Sequence, residues 1–203
     1  MNKDIYKFSI ISLICLSLLI LFSSCQKTDT SESHDIFSFS DETTAAADLV
    51  GEANEDLNKI KVIYKRNESK REELKTAMKD NDVESVKKIA DELVYIFNDA
   101  MALAEGAIEK IEKAEAMNTN VDFKEYLSLK AQSLRKQLEA FENYRQAARV
   151  LREGYNPKDD EQRKKVQVAF VEKDANFQKI MEVAKDLSTQ ANKLAKEKTK
   201  NSN

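Results

Sequence analysis

Residues 86–114 read VKKIADELVYIFNDAMALAEGAIEKIEKA, and their apolar positions decide the fold. Val86, Ala90, Leu93, Phe97, Ala100, Ala104, Ala107, Ile111 and Ala114 follow one another at alternating steps of four and three. That is the repeat of a helix seam packed against other helices. Half of the residues between them are Lys, Glu or Asp, so the opposite face is wet. A strand would alternate at every second residue, and this stretch does not.

The same period extends to both sides. Before it, Ala46, Val50, Ala53, Leu57, Ile60, Tyr64, Leu74 and Met78 lie on one helical face. After it come Leu127, Ala131, Leu134, Leu138, Phe141, Ala148 and Leu151, then Val166, Phe170, Phe177, Ile180, Ala184, Leu187, Ala191 and Leu194. Composition agrees: 3 Gly and 1 Pro in 203 residues leave few places for a helix to stop. A sandwich or an α/β sheet needs far more turn residues. The expected helices span 45–79, 82–117, 123–153 and 158–198. Asn81 with Glu84 and Asp122 with Glu125 fit capping boxes, Val121 can staple onto Tyr126, and Gly154 fits a left-handed helix end. Tyr155 would fold back on Val150, and Asn156-Pro157 would open the last helix. The weak stretch is NESKREELK at 67–75, where Asn67 and Arg71 occupy seam positions. Short connections make consecutive helices antiparallel. The predicted fold is therefore all-α, an antiparallel up-down-up-down four-helix bundle over residues 44–198, with 199–203 as a disordered tail. A monomer is favoured over a dimer of hairpins, because a chain of this length can bury a core alone.

The start of the chain differs. Lys3 and Lys7 precede FSIISLICLSLLILF, an apolar run from Phe8 to Phe22 that is shorter than the roughly 20 residues of a membrane-spanning helix. It has the length of a signal-peptide core. Ser23-Ser24-Cys25 follows. These residues resemble the lipobox of bacterial lipoproteins, in a relaxed form with Phe22 at the third place before the cysteine, as in spirochaetal and Bacteroidetes-like lipoproteins. The resemblance implies cleavage after residue 24, lipidation of Cys25 and an acylated (palmitate-type) amino terminus. The alternative is an uncleaved anchor helix with an incidental cysteine. Loss of residues 1–24 removes two Lys and one Asp and takes the net charge from −3 to −4. It also removes Cys15 and leaves no free thiol once Cys25 is lipid-linked. Residues 25–43, with the polar run QKTDTSESHDIFSFSDET from Gln26, read as a flexible tether. Ile36, Phe37 and Phe39 are its apolar exceptions, to be covered by the folded part, by lipid headgroups or by a partner.

Few chemistries remain. His34 is the single histidine and has no cysteine or second histidine beside it, so no metal site is expected. There is no Glu-x-x-His pair, no Gly-rich phosphate loop and no histidine for a nucleophile triad. Neither an enzyme nor a cofactor is expected, and 33 basic against 36 acidic residues argue against a nucleic-acid binder. Counting residues from the turns places Tyr64, Phe97, Tyr144 and Phe170 at one level, with Phe141 a turn away and Lys173 at a seam position beside them. That layer is either plain core, with Lys173 lying along the surface by its stem, or a wide-end pocket for an apolar or anionic ligand with Lys173 as charge partner. Three functions follow. The first is a lipid-anchored interaction protein, displayed from the outer membrane or cell surface and binding an unidentified protein. The second is a carrier of a small apolar or anionic ligand. The third is a periplasm-facing structural or chaperone-like part.

Overall fold

A computed structural model describes residues 41–156 and 158–201, with side chains described for 42–156 and 158–197. Cys25, the lipobox, His34, Ile36, Phe37 and Phe39 lie outside the described residues. The described chain is all helical: α1 (Asp41–Arg66), α2 (Glu68–Asp80), α3 (Val83–Ala116), α4 (Val121–Gly154) and α5 (Asp160–Asn201). None of these helices is long and apolar enough to cross a membrane. Together α1 and α2 make the first of four rods. The break between them falls in the polar stretch that offers no seam residue. Asn67 there turns its amide Nδ2 onto the Ile63 carbonyl at 2.8 Å, competing with the helix for that acceptor.

Cross-helix pairs show the antiparallel arrangement. Arg145 donates to Asn98 at 2.8 Å and Arg152 to Asp91 at 3.0 Å, so α4 descends as α3 climbs. Lys173 with Gln146 and Ser133 with Ala184 give the same sense for α4 and α5. Lys110 with Asp56 and Lys70 with Glu92 give it for α3 against the first rod. The backbone of α3 lies close to α1, α2 and α4, and that of α5 lies close to α4. Between α5 and the first rod the approach is made by side chains.

All nine seam residues of 86–114 are buried. One half of the core sets Ala46, Ala53, Ala107, Ala114 and Ala131 among larger residues such as Ile111, Phe123, Leu127 and Leu134. The other half holds the large rings. Asp56 crosses the α1–α3 seam and is only 6% exposed. The Lys110 and then the Lys59 ammonium hold its carboxyl below the usual carboxylate range, against the effect of burial. Because the folded value is the lower one, this stabilisation is present above the unfolded value of about 3.9 and is lost as pH falls through the folded value. Asp56→Asn is expected to flatten the acid side of the melting-temperature profile below about pH 4. An acid limb identical to the parent's would mean the pair contributes nothing.

The inner helix ends depart from the expected pattern by one or two residues, and the outer ends by three or four. Asn81 is left-handed (φ 55°) and closes α2, while Asp82 caps α3 by accepting from the Ser85 amide at 3.1 Å. Asn120 caps α4 by accepting from the Phe123 amide at 2.8 Å, so Asp122 is not the cap. Val121 is 80% exposed and staples nothing; Phe123 stacks on Tyr126 instead. Asp159 caps α5 through the Gln162 amide. The first helix begins at Asp41, inside the expected tether, where Glu42 reaches the Asn118 amide. At the other end α5 continues to Asn201, into the expected tail. Tyr155 does more than cover the end of α4. Fully buried, it donates its hydroxyl to the Met78 carbonyl at 3.2 Å and ties the α4–α5 connection to the α2–α3 turn.

Gly154 is the last residue of α4, and its φ is not positive. Its role is spacing: a Cβ would lie 2.8 Å from Val166 Cγ2. Gly154→Ala should therefore cost about 1–3 kcal/mol through the clash. Gly51→Ala and Gly106→Ala meet nothing closer than 3.9 Å. Each should stabilise by about 0.5–1 kcal/mol through helix propensity. Urea unfolding of the three variants checks the contrast in sign.

Candidate functional site

The rings of α3, α4 and α5 converge in one layer, and an arginine from the first rod fills its centre. Phe97 lies 4.8 Å from the Tyr144 centroid, 5.7 Å from Phe141 and 6.2 Å from Phe177. Tyr144 also meets Phe177 at 5.1 Å and Phe170 at 6.1 Å, both edge-on. Offset and edge-on pairs at these distances are the favoured arrangement of aromatic quadrupoles. Over two of the rings lies the Arg71 guanidinium, with Cζ 4.8 Å from the Tyr144 centroid and 5.0 Å from Phe177. Its Nη1 donates to the Tyr64 hydroxyl at 2.9 Å and its Nη2 to Asp174 at 2.8 Å. One side chain thus joins α1, α2, α4 and α5.

The electrostatics explain why a charge is tolerated there. The side chain of Arg71 is only 11% exposed, and burial opposes its charge. The oxygens of Tyr64, Tyr144 and Asp174 more than offset this, so the guanidinium stays charged above its ordinary range. Ring faces add cation–π attraction. The Arg71 Nε–H is buried with no hydrogen-bond acceptor. Burial, opposed by Arg71, pushes the Tyr144 phenol up to about 12, so it remains a neutral donor at physiological pH.

Of the residues read as a pocket, Phe97, Phe141, Tyr144 and Phe170 do meet in this layer. Tyr64 belongs to it through Arg71 rather than through a ring contact. Tyr144 and Phe97 are both buried, at 1% and 3% exposed. Lys173 stands apart: half-buried, it donates to Gln146 at 3.0 Å on the outside of the α4–α5 pair. The cation of the layer is Arg71, on another helix. Phe177, with 0% exposure, and Asp174 were not part of the sequence reading of the site. The signal for Arg71 was present, since it occupies a seam position where an apolar residue is due. Phe177 was misplaced because α5 lies more than a turn further along α4 than the connection suggests.

The space at this level is filled. A cavity of about 30 Å³ lies in the other half, between Leu57, Tyr126, Lys130, Ser133, Leu134 and α5. That is room for a water or two, far below the several hundred Å³ of a small-molecule site. Among the described residues no group of three or more His, Cys, Asp or Glu is placed to hold a metal. Comparison with protein-family models, with curated proteins and with solved structures finds no match. The functional reading therefore rests on the residues themselves.

Proposed function

We propose that the chain is a lipid-anchored helical protein of the cell envelope that binds another protein through an outer helix face. Cys25 carries the membrane attachment, and the bundle is displayed from the outer membrane or cell surface. The observation that carries the binding role is the filled interior. Rings and Arg71 occupy the level where a carrier would hold its ligand, and this favours recognition on the outside. The lipobox-like run to Cys25 supports the anchor. Two or three acyl chains, each contributing about 0.8 kcal/mol per buried CH₂, suffice for stable attachment. Gln26 supports outer-membrane display by family analogy, since the following Asp that retains enterobacterial lipoproteins in the inner membrane is absent.

Protease treatment of intact cells tests the display. Loss of the bundle from unbroken cells is expected; survival until the envelope is opened favours the periplasm-facing alternative. Native mass spectrometry tests the carrier alternative, which predicts a bound small molecule of defined mass. Metabolic labelling with a fatty acid tests the anchor. Cys25→Ala should accumulate as an uncleaved precursor without label, and a labelled variant would refute lipidation at this cysteine.

A further inference from the structure

Three arginines form a ladder on the α3 side of α4. Arg145 is held by Asn98 and forms an ion pair with Glu142, and Arg152 is held by Asp91 and Glu153. Arg149 lies between them on the same face, four residues after Arg145 and three before Arg152. It is half-buried, and among the described residues it has no hydrogen bond, ion pair or ring contact. The other half-buried arginines, Arg71, Arg145, Arg152 and Arg163, each have a carboxylate partner. The Nε–H groups of both Arg145 and Arg149 are buried without an acceptor. Both Nε atoms are closed off from solvent, so what Arg149 offers a partner is the Nη side of its guanidinium. Opposite Arg149 stands Tyr95, since it falls between Asp91 and Asn98, the α3 partners of Arg152 and Arg145. Its ring is 63% exposed, the largest exposed aromatic surface of the described residues.

We propose that this α3–α4 face docks an acidic segment of a partner protein. One carboxylate takes the Arg149 guanidinium, and Tyr95 packs on the apolar stem beside it. Charge complementarity selects the occupant. The flanking arginines are already neutralised and fixed in place, so one uncompensated fork is offered, and a guanidinium fork fits a carboxylate bidentately. Tyr and Arg are also the residue types that dominate binding energy at protein interfaces. Arg149 and Tyr95 lie on neighbouring long helices, whose outer face a macromolecule covers more fully than a small anion does. It also lies far from where the chain enters α1. Glu42 touches Asn118, and Tyr95 is 23 positions back along α3, about 35 Å at 1.5 Å per residue. An external partner therefore reaches it more readily than the chain's own leading segment.

This inference rests on the interaction reading for its biology, but its test needs neither a cell nor an envelope. The full chain in neutral detergent is titrated with a capped peptide alternating Glu and Leu. An alternating Lys-Leu peptide controls for charge sign, and inorganic phosphate at equal ionic strength controls for a small-anion site. The readout is the arginine Nε–H region of the nitrogen–proton spectrum together with calorimetry. The acidic peptide should shift the Arg149 resonance first. Arg149→Gln should weaken binding about tenfold, a change of about 1.4 kcal/mol, and Tyr95→Ala should weaken it severalfold. Arg149→Gln removes no hydrogen bond or ion pair among the described residues, and its melting temperature checks that the lost packing of the stem leaves the fold intact. Arg149→Lys, which keeps the charge but lacks the planar two-nitrogen fork, should recover only part of the affinity. Shifts spread evenly over the surface cations would overturn the proposal. So would equal binding of phosphate, or an equal loss from the control variant Lys164→Gln with Lys165→Gln. Protease shaving decides the display of the bundle independently of this result.

Discussion

Arg71→Ala is expected to lower the stability of the bundle by about 3–5 kcal/mol, the range for removing one member of a buried ion pair. The variant leaves Tyr64 and Tyr144 without their guanidinium and opens a void beside the faces of Tyr144 and Phe177. It also frees Asp174, which at 23% side-chain exposure can turn toward water. Arg71→Met separates charge from volume. Methionine refills the void and makes favourable sulfur–ring contacts, so it should recover most of the loss, to within about 1 kcal/mol of the parent. Combined with Asp174→Leu it should reach or exceed parental stability, because a buried pair replaced by apolar groups is often neutral or stabilising. Urea unfolding of the series measures this. A loss under about 1 kcal/mol for Arg71→Ala would mean that the arginine is a passenger in the layer rather than its keystone.

Phe177→Ala should cost a comparable amount, about 3–5 kcal/mol. Phe177 has no exposed surface and touches Phe97, Tyr144 and Arg71 together. Its truncation leaves a cavity that rigid neighbours on three helices cannot close. Phe97→Ala should fall in the same range, whereas Phe170→Ala should cost less, since it meets Tyr144 at the margin of the layer. Arg71 and Phe177 share partners, so their losses should not add. A double-mutant cycle should give a coupling of about 0.5–3 kcal/mol. Strict additivity would show that the cation and the ring act independently. If Phe177→Ala cost no more than Phe170→Ala, the observed register of α5 would be in error.

Most of the helical architecture was legible because helix formation and burial follow one local period. The alternation of steps from Val86 to Ala114 names nine positions, and all nine are buried in α3. The interruption at Asn67 was foreshadowed by a polar run without seam residues. Inner helix ends were legible to within one or two residues, and the two outer ends only to within three or four. Asn81 and Asp82 are adjacent and both suited to capping, and the choice turned on backbone geometry: Asn tolerates the left-handed conformation that closes α2, which leaves the cap of α3 to Asp82. Gly154 was read as a conformational device, yet its backbone needs no special freedom. It is small because Val166 of the next helix arrives there, and a chain read residue by residue does not contain that distance.

The sequence by itself determined that the described chain forms four antiparallel rods with one apolar stripe each, and that Phe97, Tyr144 and Phe170 belong to one layer. It also determined that no metal-binding or nucleophile motif is written in it, since motifs and periods are local properties. Only the tertiary structure decided which rings meet, and which cation meets them. Sliding α5 along α4 by more than a turn preserves every stripe, so periodicity cannot choose among those positions. The choice comes from shape, with Val166 seated on Gly154 and Phe177 against Phe97 and Tyr144. It comes also from charge, because Arg71 is tolerable at a seam position only where Asp174 and two tyrosine hydroxyls converge on it from other helices.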